Sequence, residues 1–107
     1  MLILPIKKKW FDKILSGEKK EEYREIKPYY KSRFEHCFDV MEHRGKYINA
    51  FEENPVREIM FCNGYSKTSL SFIARCTLDV GIGKEEWGAE KDKQYFILTI
   101  HEILDES

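Results

Sequence analysis

Between residues 70 and 80 the chain alternates with a period of two. Leu70, Phe72, Ala74, Cys76, Leu78 and Val80 fall on one side, and Ser71, Arg75, Thr77 and Asp79 on the other. That period belongs to an extended strand with one buried face and is incompatible with a helix. Tyr95 to Leu104 reads as a second long strand, with Phe96, Leu98, Ile100 and Leu104 on its core face. A third begins at Val56, where Ile59, Phe61 and Asn63 face one way and Met60 and Cys62 the other, and it ends in the turn signal Asn63-Gly64. Strands with one apolar face must pair edge to edge and be covered. The second half of the chain is therefore sheet.

The first half supplies the cover. Leu2-Ile3-Leu4-Pro5-Ile6 reads as a short strand that Pro5 confines to a sheet edge. Trp10, Phe11, Ile14 and Leu15 then recur at helical spacing, which predicts an amphipathic helix with Trp10 in the core and Gly17 as its C-terminal cap. Residues 20–26 alternate as a strand, with Glu22, Arg24 and Ile26 on one face, and Pro28 ends it. Phe34, Cys37, Phe38 and Met41 predict a second helix over residues 29–42, ended near Gly45. Residues 44–56 lack periodicity and read as a loop, and Gly81-Ile82-Gly83 as a strand break. The order is β-α-β-α-β-β-β. It predicts an α+β fold in which helices plug a strongly curved, mostly antiparallel sheet or small β-barrel. A parallel doubly wound fold needs helices between the later strands, and none is predicted there.

With 107 residues, 42% of them hydrophobic, the chain is predicted to form one domain around one core. No apolar run is long enough for a membrane span, and the chain turns basic at Lys7, so a membrane partner is not expected and the cytoplasm is the expected location. Cys37, Cys62 and Cys76 are widely spaced and sit among apolar neighbours, which predicts reduced core thiols; with His36, His43 and His101 they do not reach zinc-ligand spacing, so no metal or cofactor is expected. The net charge of -1 hides a polarity: residues 1–33 carry ten Lys and Arg against five acids, and the remainder is correspondingly acidic. A basic third can face a phosphate without making the whole molecule a bulk nucleic-acid binder.

The chemistry-bearing stretch is Gly17-Glu18-Lys19-Lys20-Glu21-Glu22-Tyr23-Arg24, where charged residues follow a helix end at the entry to a core strand. If Glu22 and Arg24 point inward, their charges must be paired, because an unpaired buried ion costs several kcal/mol. Such a pair can read a planar polar ligand, the carboxylate accepting from amino groups and the guanidinium donating to carbonyl or phosphate oxygens. Lys19, three residues before Glu22, joins them only if it belongs to the irregular exit from the helix. Two readings follow from the residues alone: a recognition site, or an exposed edge strand whose charges keep it soluble.

This stretch resembles the G-x-K-x-x-E-x-R signature of the ASCH domain, a PUA-like β-barrel related to RNA-binding modules, of the small stand-alone prokaryotic or phage type. The resemblance extends to Phe61-Cys62-Asn63-Gly64-Tyr65, Trp87-Gly88-Ala89-Glu90 and the closing strand. It implies a barrel with two to three helices and a pocket lined by Lys19, Glu22 and Arg24, with Asn63 and Tyr65 on its far wall and Trp87 and Glu90 at its rim. The implied ligand is RNA or a nucleotide-like small molecule. Some small members of the family are amidohydrolases on acylated cytidine that use a lysine, a threonine nucleophile and a glutamate. Lys19 matches the lysine, and Glu22 stands where the threonine would be. The alternative implied here is a hydrolase or ribonuclease in which Glu22 is the general base and Lys19 stabilises developing negative charge.

Overall fold

A computed structural model describes residues 1–64 and 70–106 and the side chains of all but the last two of these. Its elements are β1 (Leu2–Ile6), α1 (Lys8–Leu15), β2 (Glu21–Arg24), α2 (Pro28–Phe38), β3 (Met41–His43), β4 (Lys46–Ile48), β5 (Arg57–Asn63), β6 (Ser71–Ile82), a 3-10 turn (Glu85–Trp87) and β7 (Gln94–Glu106). Five strands form one curled sheet in the order β1-β5-β6-β7-β2, with β3 and β4 as a separate hairpin. The fold is α+β, a half-barrel rather than a closed one, with β1 and β2 as its edges. The sheet is mixed: β1 runs parallel to β5, with Leu4 opposite Phe61, while the other pairings are antiparallel. Pro5 lies on an edge strand, where its missing N–H costs no ladder bond.

The core follows the predicted alternation. Ile59 and Phe61 of β5, Phe72, Ala74 and Cys76 of β6, and Phe96 and Leu98 of β7 are buried on the concave face with Phe11 and Ile14 of α1 and Phe34 and Phe38 of α2. Phe11 packs on Phe72 at 5.0 Å between ring centres, and Phe34 on Phe96 at 5.1 Å, so each helix covers a different part of the sheet. Burying each such ring contributes about 1.5–3 kcal/mol.

Several expectations are corrected. Leu70 precedes β6 and is exposed, and β6 runs on through Gly81 to Ile82 instead of breaking there. Leu104 is also exposed. Register shifts in the β6–β7 ladder leave His101 and Leu104 without opposite partners, so the inward parity passes from Ile100 to Ile103. Ile26, expected on a core face, is exposed because β2 stops at Arg24.

The second helix ends four residues early. Asp39 adopts the left-handed conformation at φ 54, and Met41 is an exposed strand residue at 69% accessibility rather than part of the apolar stripe. The expected loop holds β4, which the Arg44-Gly45 turn joins to β3 with positive φ at both residues, as a tight hairpin requires. Buried Asn49 pins the rest. Its side-chain amide donates to the Phe38 and Asp39 carbonyls at 3.2 and 3.1 Å, and its Oδ1 accepts from the amides of Phe51 and Glu52. Asn and Gly placed the turns here; no hydrophobic period marked them.

All three cysteines are free thiols, with Cys76 fully buried and Cys37 and Cys62 half-buried. Among the described residues no helix is long and apolar enough to cross a membrane.

Candidate functional site

The site starts with a glycine. Gly17, at φ 84, turns the chain out of α1, and the Lys19 amide donates back to the Lys13 carbonyl at 3.0 Å. That irregular exit puts the Lys19 side chain beneath the sheet edge. Lys19 is 1% exposed and Glu22 4%. Lys19 Nζ meets Glu22 Oε1 at 2.9 Å and donates to the Trp87 carbonyl at 2.7 Å. It also lies 4.6 Å from the Trp10 ring centre, a cation–π contact that compensates part of its desolvation.

Glu22 Oε2 accepts from Arg24 Nη1, so one carboxylate bridges two cations. Arg24 Nη1 also donates to the Tyr23 carbonyl, and Nη2 to the Pro5 carbonyl, each at 2.9 Å. The last bond joins β2 to β1 across the seam between the two sheet edges. Arg24 keeps its Nε–H and one Nη2–H without a partner among the described residues.

Above this row lies a cleft of about 590 Å³. Glu22 and Arg24 form its floor, Trp10, Tyr30, Trp87 and Tyr95 contribute aromatic surface, and Lys7, Lys27, Glu90 and Lys93 stand around it. Lys93 is balanced between Glu25 at 3.8 Å and Glu90 at 3.6 Å. Lys7 and Lys27 have no carboxylate partner among the described residues, which leaves the rim a surplus of positive charge.

The wall is fixed from below. The buried Tyr23 hydroxyl donates to Glu21 Oε1 at 2.7 Å and accepts the Lys84 amide at 2.9 Å, and burial pushes its pKa above the usual phenol range. The Tyr95 hydroxyl accepts the Glu90 amide at 3.0 Å. Gly88, at φ 100, lies against Trp10 so closely that a Cβ there would sit 2.9 Å from the ring. These contacts hold the segment from Lys84 to Glu90 beside the floor. Desolvation by burial also lowers the Lys19 pKa, only partly offset by the Glu22 carboxylate.

Of the residues singled out from the sequence, Glu22, Arg24, Trp87 and Glu90 line one cleft, with Lys19 directly beneath. Asn63 does not line it, although its neighbour Gly64, whose amide donates to the Ile6 carbonyl, does. Tyr65 lies outside the described residues. Trp10, expected in the core, is half-buried and turned to the cleft. Tyr30 and Tyr95 were not anticipated; no local pattern separates a ring that lines a cleft from one that fills a core. Comparisons with protein-family models, with curated proteins and with solved structures find no significant match, so the site is read from its own geometry.

Proposed function

We propose that the cleft binds a nucleotide unit, its phosphate at Arg24 and the Lys7 and Lys27 rim and its base against the aromatic walls. One observation carries this reading: a guanidinium held rigid by Glu22, Tyr23 and Pro5, with two N–H groups left over, at the floor of an aromatic cleft. A planar fork with spare donors suits phosphate, and aromatic faces accept any base. The resemblance to the ASCH domain supports the same reading and, with it, a PUA-like assignment for the half-barrel.

Hydrolysis of an acylated nucleotide or of RNA by Lys19 and Glu22 is the second reading. Its support is the lowered Lys19 pKa, since buried lysines of this kind can act in proton transfer. Against it, both Glu22 oxygens are engaged by cations and Lys19 Nζ is turned to Glu22 and the Trp87 carbonyl. A general base needs an oxygen within reach of the proton it takes. Binding is the simpler use of this geometry.

Calorimetric titration with the four ribonucleoside monophosphates and their parent nucleosides tests the proposal. Monophosphates are expected to bind more tightly than nucleosides and to weaken as salt rises, with Arg24→Lys losing about tenfold or more and Lys27→Ala a smaller factor. A folded wild type that binds no member of the panel, or Arg24→Lys and Lys27→Ala at wild-type affinity, overturns it. Turnover of acylated cytidine or a short RNA that Lys19→Ala abolishes would establish the hydrolytic reading instead.

A further inference from the structure

The cleft does not end at Tyr30. On the preceding residue of α2, Tyr29 is 54% exposed and meets Tyr30 edge to face at 5.0 Å between ring centres. Arg33, one turn on, donates to the Tyr29 carbonyl at 3.0 Å and places its guanidinium 3.5 Å from the Tyr29 ring centre. Arg33 is exposed and has no carboxylate partner among the described residues. It also lines a second concavity of about 750 Å³ along the C-terminal half of α2, where Ser32, His36, Arg57 and Glu58 add polar surface of both charges. Tyr30, Tyr29 and Arg33 thus form an unbroken chain of contacts from one concavity to the other.

The energetics of this chain make little sense as fold stabilisation. An exposed ring stacked by an exposed arginine contributes about 0.5–1 kcal/mol at most, and neither side chain covers the core. As a surface for nucleic acid the same arrangement is efficient. A guanidinium stacked on a ring presents a planar face to a base and spare N–H groups to a phosphate, and it is ordered before the ligand arrives. From Lys27 to Cys37 the helix rises about 15 Å. A stacked strand advances about 3.4 Å per nucleotide, so the track accommodates about four nucleotides.

The geometry points to a single-stranded oligonucleotide, rather than a free mononucleotide, as the occupant, running from the Arg24 cleft over Tyr29 and Arg33 toward the second concavity. This inference rests on the nucleotide-binding reading of the cleft and extends it to a second subsite.

Fluorescence anisotropy with labelled oligonucleotides of one, two, four and eight units, in RNA and DNA forms, tests it alongside calorimetry with the monophosphates. Affinity is expected to rise with length up to about four units and then level off. Tyr29→Ala and Arg33→Ala are each expected to weaken the four-unit oligomer by about tenfold while leaving monophosphate affinity unchanged. Arg33→Ala also lowers the slope of log affinity against log salt by about 0.7. The RNA and DNA arms decide whether the sugar is read. Both side chains are exposed, so the variants are expected to fold, and thermal melting checks this. Monophosphate and oligomer bound equally, with both variants silent, overturns the track and leaves the cleft reading standing. Failure of every probe with folded wild type overturns both.

Discussion

Glu22 is the residue on which the site depends, because its two oxygens neutralise the buried Lys19 and the part-buried Arg24 at the cleft floor. Glu22→Gln removes that charge and leaves Lys19 and Arg24 facing each other; a loss of about 3–5 kcal/mol is expected in chemical denaturation. Lys19→Met costs less, about 1–3 kcal/mol, since Glu22 keeps Arg24 and only the Trp87 carbonyl and one carboxylate oxygen lose a donor. The pH dependence has a definite sign. With its folded-state pKa below the ordinary 10.5, Lys19 binds fewer protons folded than unfolded in the window between the two values. Its burial penalty is therefore in full force below the folded pKa and is relieved as pH climbs toward 10.5. Wild type should gain stability relative to Lys19→Met over that window. A stability difference that stays flat with pH would show that Lys19 is not desolvated in the native state.

At the scale of elements, the two edge strands are tied by side chains where the ladder stops. Arg24 reaches from β2 to the Pro5 carbonyl of β1, and the segment after β6 is held by Lys19, Tyr23 and Tyr95 rather than by strand pairing. Gly88 is the point at which this segment touches α1. An alanine there meets Trp10 at 2.9 Å in a backbone conformation that side chains disfavour, so Gly88→Ala is expected to cost about 1–3 kcal/mol. Because the strain falls on the cleft wall, the variant should also change tryptophan fluorescence before global unfolding. A variant with wild-type melting and emission would place Gly88 elsewhere.

For the molecule as a whole, one source of alkaline sensitivity lies at the centre of the sheet. Cys76 is fully buried in β6, and desolvation pushes its thiol from 9.0 to about 12. The unfolded chain releases this proton first, so stability is retained below about pH 9 and lost as pH rises toward 12. Over that range wild type should lose about 1.4 kcal/mol per pH unit more than Cys76→Ala. Equal slopes would mean that the thiol is hydrated in the native state.

The α+β class, the long strands β5, β6 and β7, the helix before Gly17 and the pairing demand on Glu22 and Arg24 were all legible in the residues, because period and charge burial are local properties. The sequence also marked Lys19, on the condition that its residue belongs to the irregular helix exit, and the Lys19 amide bond to Lys13 meets that condition. The β3–β4 hairpin and the flipped parity at Ile103 were not legible, since a two-residue turn and a bulge leave no period behind them. Which side β1 joins the sheet, that Trp10 and Tyr30 line a cleft, and that Asn63 does not, were settled by the packing of the whole fold. Those outcomes depend on how an open sheet curls until its edges approach, and no segment of the chain carries that information alone.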